Sequence, residues 1–236
     1  MAICISKPDV RIIHPLHIYP PRVYYIPMSI IENLKWRYAT QQFDLSQELS
    51  AEQLNTILEA GNLAPTAYGL QPFQMVVVAD QAKRDALVEH AYGQEHFAKN
   101  GTLVILAART DIDEAYITEY VERTARLRGM DVAALNGFKN MMQGDMTGRG
   151  EAGRLAFAQL QAYIALGTMM ATASELRVDN HAMSGFKADA FDEVLGLTEH
   201  NLHATVALAL GHRHADDAWQ NYAKVRKDMK DIVVTI

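Results

Sequence analysis

The stretch from Glu151 to Leu176 sets the tightest limit on what this chain can fold into. It contains no proline and reads as one long helix, and Leu155, Leu160, Tyr163, Ile164, Leu166 and Met169 spread its apolar character around most of the circumference. A helix apolar all round must be covered on every side, so this one belongs in a domain core or at a subunit interface. It is no membrane span. Its most apolar part, Tyr163–Ala173, is interrupted by Gly167 and Thr168 and falls well short of the ~20 residues a bilayer requires. A formal net charge of −6 argues against nucleic-acid and membrane-surface binding, both of which need a basic face. The single cysteine, Cys4, excludes an internal disulfide and a cysteine metal cluster and fits a reducing, cytoplasmic setting.

Five of the seven prolines fall in the first 27 residues, a density that forbids a useful helix and favours extended chain. No apolar core of a secretory signal follows the start. Residues 1–27 are therefore expected either to pack as an arm on the domain or a partner, or to lie upstream of a natural start at Met28. From Met28 onward, residues 28–236 read as one domain. Ser29 to Glu32 and Ser50 to Gln53 are capping boxes that open helices, the second stopped before Pro65. Gln74–Ala79, Leu103–Ala108 and Ala204–Leu210 read as buried strands, with a final short strand over Ile232–Ile236. Asp80 caps a helix through Val88, Asp113–Leu127 is helical, and Gly196 closes a helix over Phe191–Leu195. The Met- and Gly-rich stretch from Phe138 to Thr147 reads as irregular. Few strands among many helices, with no internal repeat, mean an α+β or α/β domain with one core.

Two motif-like clusters are set aside. Gly148-Arg-Gly-Glu-Ala-Gly153 matches the dinucleotide fingerprint, but no strand precedes it to project the turn. His200/His203 and His212/His214 bracket the strand Ala204–Leu210, and extended chain at ~3.3 Å per residue holds the pairs about 30 Å apart, too far to share an ion. No metal site is expected.

Four separated segments carry a chemistry of their own: Arg37-Tyr-Ala-Thr-Gln-Gln-Phe-Asp44; Ala64-Pro-Thr-Ala-Tyr-Gly-Leu-Gln-Pro-Phe73; Asp179 to Phe186, containing Ser184-Gly185; and Lys224-Val-Arg226. Each alone is an acceptable loop or a solvated charge. In this order and spacing, from about Met28 to the C-terminus, they closely resemble the FMN-dependent nitroreductase family of NAD(P)H oxidoreductases. The resemblance implies an α+β three-layer sandwich with a central mixed or antiparallel sheet flanked by helices, in an intertwined homodimer with FMN sites at the interface. It implies ping-pong hydride transfer from NADH or NADPH through flavin N5 to nitroaromatic, quinone or similar small-molecule acceptors, with the flavin rather than a side-chain dyad carrying the chemistry. The alternative is a flavin-binding carrier or redox sensor without turnover.

Residue by residue, the resemblance implies that Arg37, Lys224 and Arg226 hold the FMN phosphate, with Tyr38 and Ala39 bordering it. Pro65, Thr66, Ala67 and Gly69 would lie along the flavin from the other subunit, their loop fixed by Gln71. Ser184 and Gly185 would support N5 through the backbone. Gln94 and His96 would stand near the ribityl and pyrimidine edge.

Gln41 departs from the pattern. Many members carry a lysine there, and a neutral amide supplies no charge to the pyrimidine edge of reduced flavin. Charge-assisted hydrogen bonds are roughly twice as strong as neutral ones, so the flavin potential is expected to lie below that of lysine-bearing relatives. A redox titration of the wild type against Gln41→Lys should show an upward shift in the variant.

Overall fold

The computed structural model describes residues 29–236, so the expected arm at 1–27 lies outside the described residues. The sheet is built from β1 (Phe73–Val78), β2 (Thr102–Arg109), β3 (Asp179–Met183) and β4 (Leu202–Gly211), in the order β1-β2-β4-β3. Every pairing is antiparallel. β2 is apolar in nearly every position because it is covered on both faces. Leu103, Ile105 and Ala107 point into one core with Leu87 of α3 (Gln81–His90) and Phe191 of α6 (Ala188–Leu195). Val104 and Leu106 point into the other with Ile57 of α2 (Ala51–Asn62) and Ala162, Leu166 and Met169 of α5 (Asn136–Glu175). Helices, sheet and helices therefore form three layers, and the sheet is antiparallel rather than mixed.

Both capping boxes form. Ser29 N–H donates to Glu32 at 2.8 Å to open α1 (Ile30–Trp36), and Ser50 and Gln53 exchange bonds of 3.0 and 3.1 Å at the head of α2. Asp80 caps α3, Asp113 caps α4 (Glu114–Arg128), and Gly196 closes α6 in the left-handed conformation. Two expectations are overturned, and one strand is missed by the sequence reading. Phe138–Thr147 is helical, because Phe138, Met142 and Met146 pack against Ile117 and Val121 of α4, and that burial outweighs Gly144. Asp179–Met183, read only as a segment after the long helix, is an edge strand. The final stretch is not a strand of this sheet: α7 (Met229–Ile232) is a single helical turn, and 233–236 pair with no strand among the described residues.

The long helix itself is divided. Gly150 adopts φ 64°, ψ −178°, a conformation essentially reserved for glycine, and it separates two halves of α5. Arg149 bridges to Asp145 on the near side, and Arg154 reaches back to the Met146 carbonyl at 3.5 Å. Beyond the kink one face is buried in the core. The opposite face carries Leu160, Tyr163 and Ile164, exposed at 64, 44 and 42% in this single chain, with Gly167 continuing the stripe. The expected burial on all sides thus holds for one side within the chain. Among the described residues no helix is long and apolar enough to cross a membrane.

Candidate functional site

Two isolated bridges place the segment that carries Arg37. Ala39 pairs with Asn180 of β3, and Phe43 pairs with Arg213 just beyond β4. The segment therefore runs along the β3 edge of the sheet. Trp36 is held between the guanidinium groups of Arg177 and Arg213, at 4.6 and 4.3 Å from its ring. Arg213 is fixed in turn by the buried Asp179 carboxylate. From this scaffold Arg37 enters a cleft of about 400 Å³, which Tyr38, Ala39, Tyr222, Lys224 and Arg226 also line.

The three expected cations thus converge within one chain, and their hydrogen bonds go to neutral oxygens. Arg37 Nε donates to Asn180 Oδ1 at 3.3 Å, Lys224 to the Arg37 carbonyl, and Arg226 to the Val225 carbonyl at 2.6 Å. None is paired with a carboxylate among the described residues. Burial, then the charge of Arg226, lowers the Arg37 pKa; burial, then Arg37 and Arg226, lowers that of Lys224. Like charges held this close call for an anion to occupy the space between them.

Asp217 holds the arrangement together. It is 1% exposed and accepts from the N–H groups of Gln41 (2.8 Å), Gln42 (3.1 Å) and Trp219 (3.1 Å) and from the Tyr38 hydroxyl (2.9 Å). This ties the Arg37 segment to the tail that bears Lys224 and Arg226. Burial pushes the Asp217 carboxyl up, but the donated hydrogen bonds outweigh it and the net shift is downward. The Tyr38 hydroxyl is pushed up by burial and by this carboxylate, so it remains a donor.

A second cleft of about 660 Å³ is lined by Gln41, Gln42, Gln94, His96, Lys99 and His214. Gln94 Nε2 donates to the Gly185 carbonyl at 2.6 Å, so the Ser184-Gly185 turn and the Gln94–His96 segment meet. Phe186 anchors that turn by stacking on Phe191 at 4.1 Å. Gly185 N–H has no acceptor among the described residues. Gln41 points back on itself, its amide donating to the Ala39 carbonyl at 2.8 Å.

The Pro65–Gln71 loop lies elsewhere. It leads into β1, at the sheet edge opposite β3, and three strand spacings of ~4.8 Å separate the two edges. It is held by bonds within itself and by bonds from α4 and α5. Ala67 N–H donates to Gln161 of α5 at 2.8 Å, Gln71 N–H to Thr66 Oγ1 at 3.2 Å, and Gln71 Nε2 to the Asn62 carbonyl at 2.6 Å. Tyr116, its hydroxyl pushed up to about 12 by burial, donates to the Leu70 carbonyl. Gly69 has φ 75°, and a Cβ there would stand 2.8 Å from the Tyr120 hydroxyl, so both conformation and space demand glycine. The cleft beside this loop holds Arg109 and Arg123, but Asp111 and Glu119 neutralise them.

Among the rejected signals, Gly148–Gly153 sits inside kinked α5 with no preceding strand. The two histidine pairs stand at opposite ends of β4, where His203 Nδ1 lies 2.6 Å from Asp192. Sequence reasoning missed Asp217, Asn180, His181 and Gln161. Asp217 and Gln161 lie outside the four segments and Asn180 and His181 lie within one without a role of their own, and only burial among their partners reveals each.

Asp217→Asn should lower stability by about 1–3 kcal/mol, because an amide cannot accept from every donor that the carboxylate serves. The folded-state pKa of Asp217 is lowered, so this contribution is complete above the ordinary carboxylate range. It disappears as pH falls through the depressed value. Urea titrations of both proteins at falling pH should show their difference shrinking on the acid side.

The nitroreductase family profile matches residues 34–212. A Staphylococcus aureus protein named as a candidate NAD(P)H nitroreductase is 29% identical over 213 residues, spanning 87% of this chain and 94% of its own. A Staphylococcus epidermidis protein of the same name is 30% identical over 217 residues, spanning 87 and 96%. A candidate nitroreductase from Bacillus subtilis superposes with a TM-score of 0.78 at 19% identity, covering 87% of this chain and 98% of the other. One from Exiguobacterium sibiricum, solved in complex with FMN, gives 0.75 at 18% identity, covering 88 and 97%. At such identities the superpositions establish a common fold. Taken with the profile, which spans most of the chain, they assign it: this protein belongs to the nitroreductase family.

Proposed function

We propose that this protein is an FMN-dependent oxidoreductase that takes reducing equivalents from NADH or NADPH and passes them to nitroaromatic, quinone or similar acceptors. The observation that carries this reading is the convergence of Arg37, Lys224 and Arg226 on one cleft without a carboxylate to neutralise them. That donor set fits a phosphate dianion, with arginine offering the bidentate geometry such a group prefers. Bound FMN supplies the two-electron chemistry, accepting hydride at N5 from a nicotinamide and yielding it to an acceptor that follows in the same place.

The chain's own residues bind and orient. Arg37, Lys224 and Arg226 hold the phosphate, and Tyr38 and Ala39 wall that end. The Gly185 N–H, with its carbonyl fixed by Gln94, is the donor we assign to N5, a contact that fixes the ring and stabilises charge developing there. The Pro65–Gln71 loop lies a sheet's width from its own chain's cations, so we assign it to the site of a partner subunit. The apolar stripe Leu160, Tyr163 and Ile164 supplies the surface such a homodimer buries. The single-cysteine composition suits a cytoplasmic setting.

The visible spectrum of freshly purified protein tests the reading. It should be yellow, bleach on NADH or NADPH without air, and recover its colour with a quinone. Colour that neither nucleotide bleaches would favour the carrier or sensor. Arg37→Ala should weaken FMN binding by about 10- to 100-fold, the worth of a hydrogen bond to a charged group. Ile164→Asp should convert the dimer to monomer in sedimentation velocity and lose flavin with it. A dimer that survives the substitution would remove α5 from the interface.

A further inference from the structure

We propose that His96 and His181 form a proton-accepting pair, which supplies on flavin reduction the positive charge that Gln41 does not. The inference rests on the FMN reading and goes beyond it.

The two rings meet edge to face, with centroids 4.7 Å apart and planes at 61°. His96 comes from the turn Glu95–Phe97 and His181 from β3. His181 Nδ1 lies 2.9 Å from the Thr40 carbonyl. A carbonyl only accepts, so that nitrogen carries the proton and Nε2 is the basic one. His96 is less usual. Both its ring nitrogens are hidden from solvent and bond to nothing among the described residues, and the Thr40 hydroxyl beside the pair is equally unpartnered. Buried polar groups left unpaired in this way are costly unless an occupant of the site completes them. His96 lines the same cleft as Gln41 and Gln94.

The other polar and basic groups in that cleft are engaged. The Gln41 amide donates to Ala39, Lys99 is paired with Glu95 at 2.6 Å, and His214 Nδ1 accepts the Asp216 N–H at 3.2 Å. Around the pair stand Arg37 and Asp217 on the His181 side, and Glu95, Lys99 and His214 on the His96 side. Burial, followed by His96, lowers the His181 pKa. Burial and its neighbour therefore disfavour the charged form of His181, and a negative charge arriving beside the pair acts in the opposite direction.

The balance is simple. Hydride from the nicotinamide brings an electron pair and one proton and leaves the reduced flavin anionic. A second proton, taken from solvent, forms an N–H bond on an imidazole of the pair. That bond breaks as the electrons leave with the acceptor, so NAD(P)H, a proton and the oxidised acceptor become NAD(P)⁺ and the doubly reduced, doubly protonated acceptor.

The test is the pH dependence of the flavin midpoint potential in FMN-loaded wild type, His96→Asn and His181→Asn between about pH 6 and pH 8, the range in which histidine titrates. The wild type should take up one proton more per electron pair than either variant. Equal proton counts in the three proteins would overturn the pair. If the substitutions spoil FMN binding, the wild type still decides. Reduced without air in weakly buffered solution, above the pH at which free reduced FMN holds its second proton, it should bind more protons than free FMN does. An equal count would overturn the pair there too. Wild type that takes up no FMN overturns the flavin reading and this inference together, and its colourless spectrum distinguishes that failure from the others.

Discussion

A buried carboxylate accepting from three backbone N–H groups and a tyrosine hydroxyl is the interaction on which the cation site depends. Lys224 and Arg226 sit on a tail with no regular secondary structure of its own. Arg37 sits at the end of a short helix whose outward residues Ile30, Ile31 and Leu34 are exposed. Nothing local would bring three like charges together, and their repulsion acts against it. Asp217 fixes the backbone on both sides at once, so the repulsion is overcome where no cation is directly involved. The Trp36 stack between Arg177 and Arg213 does the same on the other flank.

The sheet then decides what one chain can and cannot assemble. With the order β1-β2-β4-β3, everything delivered by the β3 edge, including Arg37, Asn180, His181 and the Ser184-Gly185 turn, gathers on one side. The loop before β1 is delivered to the other. β2 and β4, which lie between, are packed on both faces and leave no room for a ligand. On the proposed reading, a site using both sets of residues draws them from two chains.

Much of the fold was legible because its signals are local. The capping boxes depend on residues three apart, and the buried strands are short apolar runs that periodicity alone suffices to find. The failures have a common cause in tertiary context. Phe138–Thr147 mixes good helix formers such as Met142 and Met146 with Asn140, Gly144 and Asp145, and the core that its methionines find against α4 settles it as helix. Asp179–Met183 is polar where strands are usually apolar, since its buried Asp179 and Asn180 serve Arg213 and Arg37. The stretch after Ile232 has strand-forming residues, but no edge of its own chain receives it. In the site, the cations were legible as members of ordered motifs. The roles of Asp217 and His181 were not, because Asp217 belongs to no motif and His181, though inside one, takes its meaning from what folds around it.

Gln161 joins two surfaces that otherwise have nothing to do with each other. From the interior side of α5 its amide oxygen accepts the Ala67 N–H, while the adjacent Leu160 and, three residues on, Ile164 stand exposed on the outer side. The second half of α5 thus carries the apolar stripe and braces the Pro65–Gln71 loop on one element. Residues 68, 69 and 71 of that loop all hold positive φ, so its shape is narrowly set, and whatever covers the stripe is held in register with the loop by the helix they share.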